Sequence, residues 1–212
     1  MAGCFITFEG GEGVGKTTQL ARTAAWLQGQ GVEVVRTREP GGTPRAERLR
    51  SVLLDRDDEP MPESCELLLM FAARSTHLAN LVQPTIDRGA WVLCDRFTDA
   101  TYAYQGGGRG VPQQDIDALV RIVHPTLQPD LTILLDAPVA TGLERAHARN
   151  GDDGPDRFES ERREFFERVR STYLERARRE PQRFRVVDAT GTVESVERAV
   201  QASLAPLLGT VR

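Results

Sequence analysis

The most informative stretch of this chain is Phe5-Ile-Thr-Phe-Glu-Gly-Gly-Glu-Gly-Val-Gly-Lys-Thr-Thr18. Its apolar residues form a β-type run that leads into a glycine-rich loop, and Lys16 opens a helical pattern directly after the loop. Gly10, Gly15, Lys16 and Thr17 match the spacing G-x-x-x-x-G-K-[ST]. The spacing lies in the strand–loop–helix context that this motif requires, and it therefore predicts a binding loop for nucleotide phosphates.

The physics of the loop supports that prediction. Glycines let the backbone curl so that its N–H groups point at phosphate oxygens, and a helix N-terminus adds free donors and partial positive charge. In such a loop the lysine reaches the terminal phosphates, and the hydroxyl of Thr17 can bind Mg²⁺. The predicted nucleotide-binding residues are Gly10, Gly11, Glu12, Gly13, Val14, Gly15, Lys16, Thr17 and Thr18.

A glycine-rich turn that matches by chance is the alternative, and the use of lysine argues against it. Of the 27 basic residues in the chain, Lys16 is the only lysine, and all the others are arginine. Arginine cannot replace a compact ammonium group inside a tight phosphate cradle. The single lysine of an arginine-rich sequence therefore lies at the one position where the motif needs it.

The composition places limits on the class of protein. A chain of 212 residues suits one α/β domain. The net charge of −4 argues against a nucleic-acid partner, and no apolar run approaches the roughly 20 residues of a membrane span. Cys4, Cys65 and Cys94 are widely spaced and are predicted to be small core residues. With no signal-peptide pattern at the N-terminus, we expect a cytoplasmic protein.

Short apolar runs alternate with helical patterns along the whole chain, without internal repeats. This order predicts one α/β domain over residues 1–212, with a five-stranded parallel sheet and helices on both faces. The strands are expected at residues 4–8, 32–35, 91–94, 131–135 and 184–187. Long helices are expected at 64–81 and 157–179, and a glycine loop at 106–110. Ligands should bind at the carboxyl ends of the strands.

A phosphate loop alone does not distinguish motors, GTPases, transporters and kinases. A kinase for a small acceptor also needs a second phosphate site, a base pocket and mobile positive charge. Candidates for the second phosphate site near the carboxyl edge are Arg38, Arg50, Arg74 and Arg96, although solvated surface is the alternative for any single arginine. Asp95, which ends a buried strand just before Arg96, would orient a Mg²⁺ shell or the attacking phosphate oxygen.

The base pocket and the mobile charge also have candidates. Phe71 and Arg74 are three residues apart and so share a helical face, where Phe71 can stack on a base; a core position is the alternative for Phe71. Arg145, Arg149 and Arg157 flank a flexible Gly/Asp stretch. Arginines on a segment that closes over the phosphates would stabilise spreading charge and exclude water. We therefore predict a lid at about residues 145–158.

Several motifs together resemble the bacterial thymidylate kinase family. They are Phe8-Glu-Gly-Gly-Glu-Gly-Val-Gly-Lys-Thr-Thr18, Arg38-Glu-Pro-Gly-Gly-Thr43, Leu69-Met-Phe-Ala-Ala-Arg74, Cys94-Asp-Arg-Phe97 and Ala103-Tyr-Gln-Gly-Gly-Gly-Arg109. The similarity runs from Phe5 to about Ala189, in the expected order. It implies transfer of phosphate from ATP to dTMP with Mg²⁺, catalysed by a homodimer.

The resemblance also implies roles for single residues. Phe71 would stack on thymine, and Tyr104 would crowd the sugar 2′ position. The base edge would be read by Arg74, Thr101 and Gln105, and the acceptor site would be bordered by Glu12, Glu39 and Arg50. Arg96 would bridge the two phosphates, and Mg²⁺ would lie at Thr17 and Asp95. Because the phosphate loop carries Glu12 and no arginine, the catalytic cation would come from the lid, with Arg149 and Arg157 as candidates.

Three alternatives follow from the residues. A kinase for another (deoxy)nucleoside monophosphate is the nearest, although Thr101, Tyr104 and Gln105 argue against it. A module that binds nucleotide and signals without transferring phosphate is less consistent with the paired phosphate-site arginines. A structural or nucleic-acid-binding protein is disfavoured by the acidic pI of about 5.5.

Overall fold

The computed structural model of the chain describes residues 3–55, 59–150 and 161–209, with backbone only at 149, 150 and 209. The strands are β1 (Cys4–Glu9), β2 (Val34–Arg38), β3 (Trp91–Asp95), β4 (Leu131–Asp136) and β5 (Phe184–Asp188). The helices are α1 (Lys16–Gly29), α2 (Pro44–Leu54), α3 (Glu63–His77), α4 (Gln83–Asp87), α5 (Thr98–Thr101), α6 (Gln113–Val123), α7 (Val139–Asn150), α8 (Arg163–Arg179) and α9 (Val193–Gly209).

The five strands form one parallel sheet in the order β2-β3-β1-β4-β5, which confirms the predicted fold class. In this register Asp95 pairs with Arg38 on one side and with Phe8 on the other. The carboxyl end of β3 therefore lies between the end of β2 and the start of the phosphate loop. This register brings the predicted site residues of three separate segments to one edge of the sheet.

Apolar side chains fill both faces of the sheet. On β1, Ile6 packs in the same cluster as Leu27 of α1 and Val200 of α9, whereas Phe5 packs with Val82 on the opposite face. The side chains of successive strand residues point to opposite faces of the sheet. A central parallel strand is covered by helices on both faces, so all its side chains are buried and its sequence is a continuous apolar run. Burial on both faces explains why β1, β3 and β4 were recognisable from sequence.

Strand β2 differs from the prediction, which placed it at residues 32–35 as a buried strand. It spans Val34–Arg38 and is partly exposed along its length, because it forms the edge of the sheet and only β3 pairs with it. Arg38, expected in the following loop, is the last residue of this strand. An edge position explains why its residues Val34-Val-Arg-Thr-Arg38 do not form a continuous apolar run.

The helix expected at residues 64–81 is longer than predicted. Helix α3 continues through a π-helical turn, Leu78–Val82, into α4, and the N–H of Gln83 donates to the carbonyl of Leu78. Pro84 lies one residue further on and has no N–H to donate. A widened turn next to a proline is a common way to continue a helix past the missing hydrogen bond.

The glycine loop predicted at residues 106–110 is wrong for its first three positions. Helix α5 continues as a π-helical turn, Tyr102–Gly108, which packs closely against α8. A Cβ atom on Gly107 would lie 2.0 Å from Oγ1 of Thr172, and one on Gly108 would lie 2.4 Å from the ring of Phe165. These glycines allow two helices to approach each other, which local composition cannot distinguish from a flexible loop.

Helix α8 begins at Arg163 rather than at the predicted residue 157, and residues 151–160 lie outside the described part of the chain. Its expected inner face is confirmed, since Phe165, Val169 and Tyr173 are buried.

Two of the three cysteines, Cys4 and Cys94, are buried, as predicted, but Cys65 is exposed. The prediction for Cys65 was wrong because it occupies the outward face at the start of α3. None of the helices in the described part of the chain has both the length and the apolar composition needed to cross a membrane.

Candidate active site

One cavity of about 650 Å³ lies at the carboxyl edge of the sheet. The phosphate loop and α1 form one wall, and the ends of β2 and β3 together with α3 and α5 form the others. The predicted site residues that line it are Glu12, Gly13, Gly15, Lys16, Thr17, Thr18, Arg38, Glu39, Arg50, Arg74, Asp95, Arg96, Thr101, Tyr104 and Gln105. The structure therefore brings residues from most of the chain into one site.

The loop from Gly10 to Gly15 holds the lysine in place. The Nζ atom of Lys16 donates to the carbonyl oxygens of Gly10, at 3.1 Å, and Gly11, at 2.6 Å. Burial and the nearby Arg96 guanidinium lower the pKa of Lys16, while Glu12 and Asp95 oppose that shift. The ammonium group is thus anchored at the N-terminus of α1, where the helix end also favours a phosphate.

The phosphate loop also docks on α7 through two glycines. A Cβ atom on Gly13 would lie 1.9 Å from the carbonyl oxygen of Gly142, and one on Gly142 would lie 2.4 Å from the carbonyl oxygen of Glu12. Gly13 has a φ of 65°, in the left-handed region that favours glycine. The loop can adopt this shape only because both positions lack a side chain.

Arg96, Glu12 and Tyr104 form a polar cluster above the loop. Nη2 of Arg96 donates to Oε1 of Glu12 at 2.5 Å, and the Tyr104 hydroxyl donates to the same oxygen at 2.8 Å. Burial alone would lower the pKa of Arg96, but the Glu12 carboxylate holds it well above its usual value. Among described residues other than glycine, Arg96 alone has a positive φ, 68°. Such a conformation is typical of functional sites.

Asp95 and Thr17 fit the predicted Mg²⁺ site. The Thr17 hydroxyl donates to Oδ2 of Asp95 at 3.3 Å. Oδ1 of Asp95 is buried, with no hydrogen-bond partner in the described part of the chain. An orphaned carboxylate oxygen beside a hydroxyl supplies the hard oxygen ligands that Mg²⁺ prefers, and the remaining ligands of such a site are waters and phosphate oxygens.

Arg74 is held rigidly at the acceptor end of the cavity. It is 2% exposed; Nε donates to Oε2 of Glu39 at 2.7 Å, and Nη2 donates to Oγ1 of Thr101 at 3.0 Å. His77 contacts the other Glu39 oxygen at 2.9 Å. Burial would raise the pKa of Glu39, but Arg74 and His77 keep it below its usual value. The remaining nitrogen of Arg74, Nη1, has no partner among the described residues.

Phe71 does not lie where the resemblance placed it. It is 2% exposed, packs with Leu67 and Ile116, and stacks on His124 with a centroid distance of 6.4 Å. It does not line the cavity, whereas Met70 does. Met70 precedes Arg74 by four residues and Phe71 precedes it by three, and the way α3 packs on its neighbours places Met70 at the cavity. Phe71 therefore occupies a core position, which was the alternative considered for it.

The remaining predicted acceptor residues come from β2 and α2. Arg38 is half-exposed and pairs with Glu47 at 2.8 Å, while Nη1 of Arg50 donates to the carbonyl oxygen of Pro40 at 2.9 Å. The Thr43 side chain accepts from the N–H of Ala46 and caps α2. This cap fixes α2, and with it Arg50, against the loop that follows β2.

The predicted lid arginines are only partly described. Arg145 lines the cavity and donates to the carbonyl oxygens of Ala189, at 2.8 Å, and Thr190, at 3.3 Å. The side chain of Arg149 and all of Arg157 lie outside the described residues. Arg145 thus connects α7 to the segment after β5.

A buried acid lies beneath the phosphate loop. Glu9 accepts from the N–H of Phe97 at 2.7 Å and from the Tyr173 hydroxyl at 2.8 Å. Burial, followed by the charge of Asp99, raises the pKa of Glu9 to about 7. Arg176 and Arg183 bind Asp99 at 2.6 and 2.7 Å. Tyr173 thus ties α8 to the end of β1, and Asp99 ties α8 to the residue before β5.

Sequence reasoning missed several residues of the site. The additional lining residues are Pro40, Leu54, Met70, Phe97 and Ala100, and His77 supports Glu39 from behind. His77 follows Arg74 by three residues, and this shared helical face was the one available signal. The apolar lining residues gave none, because an apolar side chain at a cavity has the same sequence pattern as one in the core.

A phosphate loop and a second cluster of cationic and base-reading side chains therefore share one cavity at the edge of a parallel sheet. This arrangement defines a P-loop kinase for a nucleotide-sized acceptor.

Comparison with known proteins identifies the family. Residues 8–200 match the thymidylate kinase family model. The thymidylate kinase of Pseudomonas syringae is 57% identical over 208 residues, 98% of each chain, and that of Chromohalobacter salexigens is 56% identical over 203 residues, 95% of each. The crystal structure of thymidylate kinase from Ehrlichia chaffeensis is 34% identical, with a TM-score of 0.76 over 96% of this chain and 99% of that one.

The chain belongs to the thymidylate kinase family. It is a transferase that phosphorylates dTMP, and ATP is the donor that the family implies.

Proposed function

We propose that the two phosphates meet at Lys16 and Arg96 and that the transfer is direct and in line, without a covalent enzyme intermediate. The observation that carries this proposal is that one cavity contains both the phosphate loop and Arg74. The ATP phosphates lie on the loop amides and Lys16, and the dTMP phosphate lies near Arg38, Arg50 and Arg96. Because the acceptor phosphate is already anionic, no strong general base is needed.

At the donor end, the adenine group lies along the segment after β5. The observed link from Arg145 to Ala189 and Thr190 supports this placement, because it puts the lid-side helix next to that segment. We propose residues 145–158 as the lid of a single-domain enzyme, with Arg149 and Arg157 as its catalytic cations. Since Glu12 occupies the phosphate loop and binds Arg96, a further cation at the transferring phosphate has to come from elsewhere.

We assign the Mg²⁺ ligands to Thr17 and Asp95, together with phosphate oxygens of the nucleotide. When bound there, the ion would neutralise the charge of the donor phosphates. The orphaned Oδ1 atom of Asp95 supports the assignment.

At the acceptor end, the base lies against Met70, with Arg74 and Gln105 at its edge. Thr101 accepts from Arg74 and so acts through it. The ring of Tyr104 lies beside Arg96, and this position supports its proposed place next to the sugar. We propose that Phe71 acts behind the site, as the core support of Arg74, whose guanidinium lies 4.7 Å from its ring centroid.

We propose a homodimer, as the family resemblance implies. Exposed apolar side chains on three packed helices support it: Val52 on α2, Leu68 on α3 and Ile122 on α6 are 51%, 58% and 76% exposed. Light scattering at several protein concentrations measures the mass. A cytoplasmic location and the lack of a nucleic-acid partner stay predictions of the sequence.

A coupled assay of ADP release tests the proposed mechanism. We expect turnover with dTMP to exceed that with UMP and dCMP, and Lys16→Met to abolish turnover while the thermal unfolding temperature changes little. Wild-type turnover by the folded Lys16→Met variant would rule out the P-loop mechanism. Comparable turnover of UMP would favour a kinase of broader acceptor range.

A further inference from the structure

The amide of Gln105 lies between the cavity and a buried carboxylate. Gln105 is 1% exposed and lines the cavity, and its Nε2 atom donates to Oε1 of Glu66 at 2.8 Å. Glu66, on α3, is also 1% exposed and does not line the cavity. Glu66 therefore contacts the proposed base-reading amide from behind.

This contact determines which end of the amide faces the substrate. A glutamine amide has a donor end and an acceptor end, and its orientation follows from its hydrogen-bond partners. An ionised carboxylate can only accept, so the NH₂ group has to face Glu66. Nε of Arg109 lies 3.5 Å from the same Glu66 oxygen and forms a salt bridge with it, so this oxygen faces two donors. The carbonyl oxygen of Gln105 is thereby directed to the opposite side.

The donor beside this acceptor is Arg74. Thr101 and Gln105 are four residues apart on one helical run, and Thr101 binds Nη2 of Arg74, so the guanidinium lies one turn from Gln105. Glu39 and Thr101 fix the guanidinium, while its Nη1 atom has no partner in the described part of the chain. The acceptor site thus presents an N–H donor from Arg74 next to a C=O acceptor from Gln105.

We propose that Glu66 is a positioning residue that selects the pyrimidine base by fixing the orientation of the Gln105 amide. A thymine or uracil edge offers an acceptor at O4 and a donor at N3–H, which complement Arg74 and Gln105. A cytosine edge offers an NH₂ donor and an unprotonated N3, so both contacts would be repulsive. The inference rests on the proposed function, in which the base lies at Arg74 and Gln105, and it adds the group that excludes cytosine.

The test compares kcat/KM for dTMP, dUMP and dCMP in wild type and Glu66→Gln. A glutamine at position 66 can donate from its own amide, which allows Gln105 to turn its NH₂ group toward the base. We expect the ratio of kcat/KM for dTMP over dCMP to fall at least about tenfold, mainly through KM, because a site with fixed polar groups discriminates by about 10⁴–10⁵. The dTMP to dUMP ratio and the KM for ATP should stay unchanged, since thymine and uracil share the same edge.

Two variants serve as matched controls. Glu66→Asp keeps a carboxylate and should retain the dTMP to dCMP ratio even if overall activity falls. Glu63→Gln changes an exposed acid one turn away on the same helix and should behave as wild type. If Glu66→Gln does not fold, Glu66→Gln with Arg109→Met removes both charges and should give the same loss of selectivity.

An unchanged dTMP to dCMP ratio in a folded Glu66→Gln variant would overturn the proposal. An equal loss of the ratio in Glu66→Asp would also overturn it, because packing rather than amide orientation would then be responsible. Failure of wild type to phosphorylate dTMP would instead contradict the proposed function. Wild type that uses dTMP and dCMP equally well would leave that function intact and refute the role of Glu66.

Discussion

The guanidinium carbon of Arg96 lies 4.5 Å from the centre of the Tyr104 ring, and both side chains bind the same oxygen of Glu12. A planar guanidinium can stack on a ring while its N–H groups point outward in fixed directions. Burial, together with the Glu12 carboxylate, keeps the pKa of Tyr104 well above its usual value although Arg96 opposes the shift, so its hydroxyl remains a donor to Glu12. The contacts with Tyr104 and Glu12 therefore hold the Arg96 side chain at the cavity in the absence of substrate.

Arg96→Lys should therefore lower catalysis although it keeps the charge. An ammonium group cannot stack on Tyr104, bind Glu12 and span two phosphates at once, and we expect kcat to fall by about 10²–10³, as for other lost transition-state donors. Arg22→Lys is the matched control, since Arg22 forms a half-exposed surface pair with Glu197. Steady-state kinetics checks both. A kcat within threefold of wild type in Arg96→Lys would contradict the role of Arg96.

Arg74 is a substrate-binding residue that also supports the fold. Arg74→Ala would leave Glu39 buried without its main partner, and we expect a loss of about 3–5 kcal/mol in unfolding free energy. Arg74→Lys keeps the charge beside Glu39, so it isolates the effect on binding. The KM of this variant for dTMP should rise about tenfold while its KM for ATP stays near the wild-type value. Equal increases in both KM values would argue against a position at the base.

Met70 and Phe71 should separate binding from stability. Met70→Ala removes a side chain that lines the cavity, so we expect the KM for dTMP to rise about tenfold. Phe71→Leu leaves space beneath Arg74, and we expect a loss of about 1 kcal/mol in unfolding free energy with little direct change in substrate specificity. Urea unfolding and substrate titration, carried out on both variants, measure the two effects. A raised KM for dTMP in Phe71→Leu, with an unchanged KM in Met70→Ala, would instead indicate that Phe71 contacts the base.

The raised pKa of Glu9 predicts a pH dependence of stability. Because the folded-state pKa, about 7, lies above the ordinary value of 4.5, the folded protein binds this proton more tightly. The stabilisation that Glu9 contributes is fully present below about pH 4.5 and is lost as the pH rises through 7. The loss in unfolding free energy is on the order of 3 kcal/mol. Glu9→Gln should lack this slope, whereas Glu33→Gln, at an exposed site, should retain it. Parallel wild-type and Glu9→Gln curves from urea unfolding between pH 4.5 and 8 would disprove the assignment.

The contact between Gly142 and the phosphate loop predicts a defect in ATP binding. An added Cβ on Gly142 would lie 2.4 Å from the Glu12 carbonyl oxygen, so Gly142→Ala has to displace the loop or α7. We expect the KM for ATP to rise about tenfold or more. Gly29→Ala, where a Cβ atom meets nothing within 4 Å, should leave kinetics unchanged and stabilise α1 by about 0.5–1 kcal/mol. A wild-type KM for ATP in Gly142→Ala would contradict this prediction, because the displaced phosphate loop would then still bind ATP as before.

The parallel sheet and the phosphate loop could both be predicted from the sequence, because each has a local sequence pattern. Buried parallel strands are continuous apolar runs, and the loop needs glycines and a lysine at fixed spacing. The same reasoning found most of the charged residues of the site, since they directly follow strands whose carboxyl ends share an edge.

The tertiary structure alone decided which apolar side chain faces the substrate. Met70 and Phe71 are adjacent in sequence, and only the rotation of α3 against its neighbours turns one to the cavity and the other to the core. It also decided that Gly107 and Gly108 belong to a helical turn pressed against α8, and that Glu66 lies behind Gln105. These features depend on contacts between segments far apart in the chain, which no local pattern encodes.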